Sequence, residues 1–201
     1  MIDGAESLAE FMDVLAEAQE DAIYVEVQNA LMAAANSMPS ANKYQGDYSA
    51  AALLGLVNTV KTYGGGATIF ASPEFIAEMG PDAIVPAIAG VAQAVYHPDD
   101  IDAIHNIGRI KIFRGTPIVE LRQSFLDETN EQKMITPQYA YLLPTGQEKV
   151  VKVRLEGATQ MYDVVNPDKS VEVHSYRMIG VGILAFNNWG IYQNKDISVD
   201  D

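Results

Sequence analysis

The sequence holds no cysteine, which removes disulfides, thiolate metal sites and cysteine nucleophiles together. Basic residues are scarce: 13 Lys and Arg stand against 27 Asp and Glu, a formal net charge of −14. Tight, sequence-independent binding of DNA needs a basic surface that displaces counterions, so that class is disfavoured. From Met1 to Asn42 the imbalance is complete, with eight acids and no Lys or Arg. Long hydrophobic runs are missing too. The longest, I-G-V-G-I-L-A-F from Ile179 to Phe186, falls far short of the roughly 20 residues of a membrane helix. The opening M-I-D-G-A-E-S has neither the basic region nor the apolar region of a secretory signal. What is present is ordinary for a globular protein: 201 residues, 48% hydrophobic and 20% charged. That length can bury one large core or two small ones.

Periodicity places the elements. From Glu6 to about Asn36 the apolar residues Leu8, Phe11, Met12, Leu15, Ala18, Ala22, Ile23, Val27, Ala30, Leu31 and Ala34 recur at steps of three and four. This predicts one long helix that Met38-Pro39 ends. Asp47 is the expected N-cap of a second helix over Tyr48 to Tyr63, closed by Gly64-Gly65-Gly66. Ala67 to Ala71 reads as a short buried strand, and Ser72-Pro73-Glu74 as the cap and first turn of a third helix ending near Gly80. Asp82 to Ala94 reads as a further helix. Strands follow at Ile110–Phe113 and Ile118–Leu121, with a turn at Arg114–Pro117, and Arg122 to Lys133 is a polar surface loop. The remainder alternates like antiparallel strands: Tyr139–Leu143, Lys149–Leu155, Met161–Val165 and Val171–Phe186. Helices first and strands later indicate α+β rather than repeating βαβ units.

Each candidate site meets a physical objection. Gly180 to Ala185 reads G-V-G-I-L-A, matching the dinucleotide pattern G-x-G-x-x-A letter for letter. A nucleotide site needs a strand, a tight turn and then a helix whose N-terminus faces the pyrophosphate. Here the glycines sit inside an apolar run, and Asn187-Asn188-Trp189-Gly190 is a poor helix start. Gly180 and Gly182 are better read as points where another backbone, the long helix or a neighbouring strand, lies close. Gly64-Gly65-Gly66 follows a helix instead of preceding one, and Lys61 stands on the wrong side for a phosphate loop. His97, Asp99, Asp100, Asp102 and His105 contain metal-ligating side chains, yet no H-x-x-x-H or H-E-x-x-H spacing brings them together. His174 falls in an alternating strand and reads as a cross-strand contact. Ser72 lacks a G-x-S-x-G setting and reads as a helix cap. The residues assemble no catalytic, cofactor-binding or metal site.

In order along the chain, several of these segments resemble the carboxy-terminal part of a tailed-bacteriophage major capsid protein. They are the long helix with Ala22-Ile23-Tyr24, the strand and cap A-T-I-F-A-S-P-E-F, the G-T-P-I-V-E of Gly115 to Glu120, and Y-A-Y-L-L-P-T-G. The last is the strand running through Y-R-M-I-G-V-G-I-L-A-F to N-N-W-G-I-Y. In that family a turn with G-x-P-V-V, a late R…GVAVL strand and an aromatic-flanked final segment recur in this order. The resemblance spans nearly all of the chain.

It implies an α+β fold with a spine helix crossing an antiparallel sheet in a peripheral domain, and a mixed α/β axial domain. Residues 1–42 would hold the spine, 43–156 the axial domain, and 157–201 the returning strands and carboxy-terminal tail. The implied function is that of a structural, non-enzymatic subunit of a prophage icosahedral capsid, forming pentamers and hexamers that enclose double-stranded DNA. An encapsulin-like shell subunit is the alternative; a small acidic enzyme and an acidic binding module whose long helix docks a partner stand further off. Implied partners are other copies of the chain, with scaffolding, portal and decoration proteins, and neither a membrane nor specific nucleic-acid binding. The implied location is the virion capsid, assembled in the host bacterial cytoplasm, and no cofactor is implied. The family's amino-terminal arm and extended loop would precede Met1, so a shortened or processed chain is expected. Some members cross-link through a lysine, an asparagine and a glutamate; no matching asparagine–glutamate pair stands in the last strand, and that activity is not carried over.

Overall fold

The computed structural model describes residues 8–79, 112–127, 129–146, 149–167, 171–184 and 187–198. They belong to two compact units, Met1–Met32 with Val151–Ile183, and Ala33–Val150 with Leu184–Asp201. The helix expected over 82–94 lies outside the described residues, as do the loop of His97 to His105 and the first two residues of the strand expected from Ile110.

The larger unit is built on a six-stranded mixed sheet. Its strands are β1 (Lys43–Gly46), β2 (Gly66–Ala71), β3 (Ile112–Phe113), β4 (Thr116–Glu120), β5 (Tyr139–Thr145) and β8 (Gly190–Asn194). The order across the sheet is β1-β8-β5-β2-β4-β3. β1 pairs parallel with β8, and β2 parallel with β4, while β5 runs antiparallel to both β2 and β8. The strands expected after Tyr139 do pair antiparallel, β5 with β2 and β8 and Val151–Val165 with Val171–Ile183, while the parallel pairs join β1 to β8 and β2 to β4 and need crossovers. β8 lies between β1 and β5 in this sheet.

α2 (Ala50–Gly64) covers the sheet with Leu53, Leu56, Val57 and Val60, all buried, at the i, i+3, i+4, i+7 spacing of one helix face. Ser49, not Asp47, is its N-cap, its side chain accepting from the Ala52 amide at 3.4 Å. Asp47 instead offers its backbone carbonyl to the Tyr192 hydroxyl. Gly65 ends the helix at φ 70°, its amide donating to the Lys61 carbonyl at 2.8 Å, the left-handed stop expected of the three glycines. α3 (Pro73–Met79) begins at Ser72, whose Oγ accepts from the Phe75 amide at 3.1 Å. Phe75, Ile76 and Met79 join the α2 residues, Ile69, Phe113, Ile118, Leu142 and Tyr192 in one core. β3 and β4 are joined by Arg114 and Gly115, both at positive φ, a two-residue hairpin turn tighter than the four-residue one expected.

The end of the chain is fastened to this core. Asn42, itself buried, donates from Nδ2 to the carbonyls of Asn187 and Trp189 at 2.9 and 2.7 Å. Beside it, a Cβ on Gly190 would lie 3.3 Å from the Asn42 carbonyl oxygen and 3.5 Å from Val60 Cγ2. This is a real close approach, and only glycine fits it without displacement.

The smaller unit contains α1 (Leu8–Ala35, through Met32), β6 (Val151–Val165) and β7 (Val171–Ile183). At 28 residues the helix is about 42 Å long. β6 and β7 form a two-stranded antiparallel ribbon. The two strands expected at 149–155 and 161–165 are one: between Glu156 and Gln160 the register shifts instead of breaking. Gly157 at φ 75° absorbs the extra residues as a bulge, which turns the strand without ending it.

Candidate assembly surface

The ribbon has two faces fixed by its register. Val153 pairs with Val181, Leu155 with Ile179 and Met161 with Ser175 on one; Lys152 pairs with Gly182, Arg154 with Gly180 and Tyr162 with His174 on the other. The first face looks towards α1, since Gln19 donates from Nε2 to Ser175 Oγ at 2.5 Å and accepts from Thr159 Oγ1 at 3.4 Å. Polar side chains thus make the helix contact, and the apolar ones beside it stay half open: Val153, Leu155, Met161 and Val173 remain exposed. On the far face Tyr162 stacks on His174 with centroids 5.0 Å apart and meets Tyr176 edge-on at 6.2 Å. The Tyr176 hydroxyl donates to Gln160 Oε1, and His174 Nε2 stands 3.6 Å from Glu172 Oε2. Met178, 66% exposed, continues this face.

Large apolar and aromatic side chains on both sides of an exposed ribbon are the composition of an interface, not of a solvated hairpin. The outer edges of β6 and β7 face no further strand in their sheet, a condition that invites pairing unless something covers it. A shallow pocket at the bulge is lined by Glu156, Gly157, Gln160, Tyr176, Arg177 and Met178.

Among the described residues, none of the sequence candidates is drawn into a reacting constellation, and His97, Asp99, Asp100, Asp102 and His105 lie outside them. His174 is the cross-strand partner of Tyr162, as its alternation suggested. Gly180 and Gly182 lie in the ladder of a strand that runs to Ile183, so no turn follows them into a helix. The close approach expected at these glycines is also absent. A Cβ on Gly182 would meet no atom within 4 Å, and one on Gly180 only the Arg154 carbonyl at 3.9 Å. Their strand has a single neighbour and an uncovered face, so nothing presses on them. Ser72 is held as a cap, donating to the Pro137 carbonyl at 3.2 Å. Among the described residues no group of three or more His, Asp and Glu could hold a metal ion, and no helix is long and apolar enough to cross a membrane. Alternation marks these residues as antiparallel strands but does not say that both faces of the ribbon stay exposed. The available signal was V-K-V-R-L opposite R-M-I-G-V-G, apolar on one side and cationic against glycine on the other.

The family described as "SPbeta prophage-derived putative capsid protein YonB" matches residues 1–190. No curated protein matches the chain. Among solved structures, a phage-related protein from Bordetella bronchiseptica RB50 is similar at a TM-score of 0.56 and 8% identity, over 98% of this chain and 72% of that one. The SrpI encapsulin from Synechococcus elongatus PCC 7942 is similar at 0.50 and 15%, over 96% and 67%. At such identities the likeness is one of fold: the mixed α/β architecture is similar to that of these two proteins. With the family model spanning all but the last eleven residues, the chain belongs to this family of prophage-derived capsid proteins.

Proposed function

We propose that the chain is a structural subunit of an icosahedral prophage capsid, assembling through pentamers and hexamers into a shell around double-stranded DNA. The observation that carries this reading is the missing core of the smaller unit. Of the buried apolar side chains among the described residues, only Leu31 belongs to it. A two-stranded ribbon and one helix do not hold together on so little. The exposed Phe11, Val14, Val153, Tyr162, Val165, Tyr176 and Met178 are surfaces that neighbouring copies complete. In this reading the smaller unit is the peripheral part of the subunit and the larger unit the axial part. Family membership and the encapsulin-like fold support a structural, non-enzymatic role in the virion capsid, with assembly in the host cytoplasm. Scaffolding and portal proteins are then natural partners.

The net charge of −14 suits a wall that encloses DNA without gripping it. An encapsulin-like shell built around protein cargo is the second reading, favoured by the fold similarity to SrpI. Electron microscopy of the expressed protein tests both: uniform closed shells are expected. A protein that stays monomeric under every assembly condition contradicts the proposal, and shells that package protein and exclude DNA favour the second reading.

A further inference from the structure

The segment from Arg122 to Lys133, expected as a polar surface loop, is an ordered hairpin. The Leu126 amide donates to the Gln132 carbonyl and the Met134 amide to the Ser124 carbonyl, each at 2.8 Å, with Phe125 paired opposite Lys133. At the base, Gln123 Nε2 donates to the Ile135 carbonyl at 2.7 Å while its Oε1 accepts from the Ile135 amide at 2.8 Å. Met134 and Ile135 are buried, and Lys133 Nζ stands 3.0 Å from Glu74 Oε1 of α3. At the tip, the Asp127 carboxylate accepts from the Glu131 and Gln132 amides at 3.1 and 2.9 Å and from the Thr129 hydroxyl. These bonds hold out two adjacent apolar side chains, Phe125 at 48% and Leu126 at 52% exposed.

A backbone fixed in this way has already lost the freedom that binding would otherwise cost, which makes an exposed ring an anchor for a partner. Asp127 follows Leu126 directly and Glu131 closes the same turn, so two such tips meeting each other would set like charges together. A recess of matching size lies on the ribbon, at the Gly157 bulge. It measures about 160 Å³ and is lined by Glu156, Gly157, Gln160, Tyr176, Arg177 and Met178; a cavity of about 150 Å³ accepts a benzene ring. Tyr176 and Met178 are exposed there and offer the aromatic and thioether contacts that a phenyl ring favours. Arg177 brings a cation, opposite in sign to the acids of the hairpin tip, and Glu156 brings an acid. The recess is therefore mixed in charge, and the ring is the anchor.

We infer that Phe125, with Leu126 beside it, inserts into the bulge recess of a second copy of this chain. The inference rests on the capsid-subunit reading, which supplies the second copy, and specifies one contact of the shell. Hairpin tip and recess are different surfaces, so the contact is head-to-tail, the kind that closes into rings or continues openly. Exposed charges around it contribute little each. Burial of the phenyl ring against Tyr176 and Met178 supplies the affinity.

The chain has no cysteine, so introduced thiols report this contact without background. Leu126→Cys and Met178→Cys are made in separate full-length chains, mixed under assembly conditions and treated with a short thiol-specific cross-linker. Covalent dimers are expected from the mixture and not from either variant alone. Phe125→Ala is expected to lower the assembled fraction, read by sedimentation velocity and electron microscopy, by about tenfold or more, the loss of a buried aromatic anchor. Circular dichroism and Trp189 fluorescence confirm that each variant folds. Should Phe125→Ala assemble like the parent, or no mixed dimer form while the parent assembles, the inference is overturned and the capsid reading stands. A cross-link formed only within one chain carrying both cysteines overturns it as well, since the hairpin then closes on its own copy. If the parent chain itself never assembles, the capsid reading falls and takes this contact with it.

Discussion

Two glycine positions separate what a residue type suggests from what its surroundings enforce. Gly190 is wedged against the Asn42 carbonyl, Val60 and Leu142, whereas Gly182 faces open space. Gly190→Val is therefore expected to destabilise the chain by about 1–3 kcal/mol through overpacking. Gly182→Val should change unfolding stability by no more than about 0.5 kcal/mol, as an exposed strand position does. Chemical denaturation of both variants checks the pair, and a large loss at Gly182 with none at Gly190 would contradict the placement. In sequence the G-V-G pattern was visible and its neighbours were not, because close approach depends on which backbone folds over the glycine.

Tyr192 supplies a pH prediction. Its hydroxyl accepts from the Ser49 amide at 2.7 Å and donates to the Asp47 carbonyl at 3.2 Å. Burial, opposed by the Ser49 hydrogen bond, pushes the phenol from 10.0 up to about 12. A folded state that holds the proton more tightly than the unfolded one is fully stabilised below pH 10 and loses that contribution as pH rises to about 12. Tyr192→Phe should cost about 1–2 kcal/mol at neutral pH and flatten the stability profile between pH 10 and 12. An unchanged alkaline profile in the variant would show that another group titrates.

At the level of elements, legibility followed locality. α2 and α3 were readable because their caps, glycine stop and apolar spacing all lie within a few residues of one another. β2 was readable as a short apolar run between Gly66 and Ser72. β1 escaped notice because K-Y-Q-G has no strand pattern of its own and is a strand only through its pairing with β8, about 150 residues away. Parallel pairing likewise left no local mark. The bulge at Gly157 read as a strand end because a glycine interrupts the alternation in either case.

The two units also differ in what holds them. In the larger unit a hydrophobic core is buried and Trp189, the sole tryptophan, is buried as well, while of the buried apolar side chains among the described residues the smaller unit holds only Leu31. In the unassembled chain, helix loss followed by far-UV circular dichroism should begin at lower denaturant than the change in Trp189 fluorescence. Two such probes coincide only in a two-state transition. Coincident curves would mean that the α1 and ribbon unit is stabilised as strongly as the sheet.

For the molecule as a whole, the sequence disclosed the family but not the surface that makes the family's role physical. The order of weak motifs from Ala22 to Tyr192 was enough to identify a capsid relative. Which apolar residues would be left uncovered was not legible, since alternation in β6 and β7 looks the same whether a face meets a core or a neighbouring subunit. The central claim is that copies of the chain complete the smaller unit. Hydrogen exchange compared between free subunit and assembled particle tests it most directly. Amides of β6, β7 and the first half of α1 should exchange rapidly in the free subunit and become strongly protected on assembly, while those of β2 and β5 stay protected in both. Equal protection of the ribbon in the two states would contradict the account.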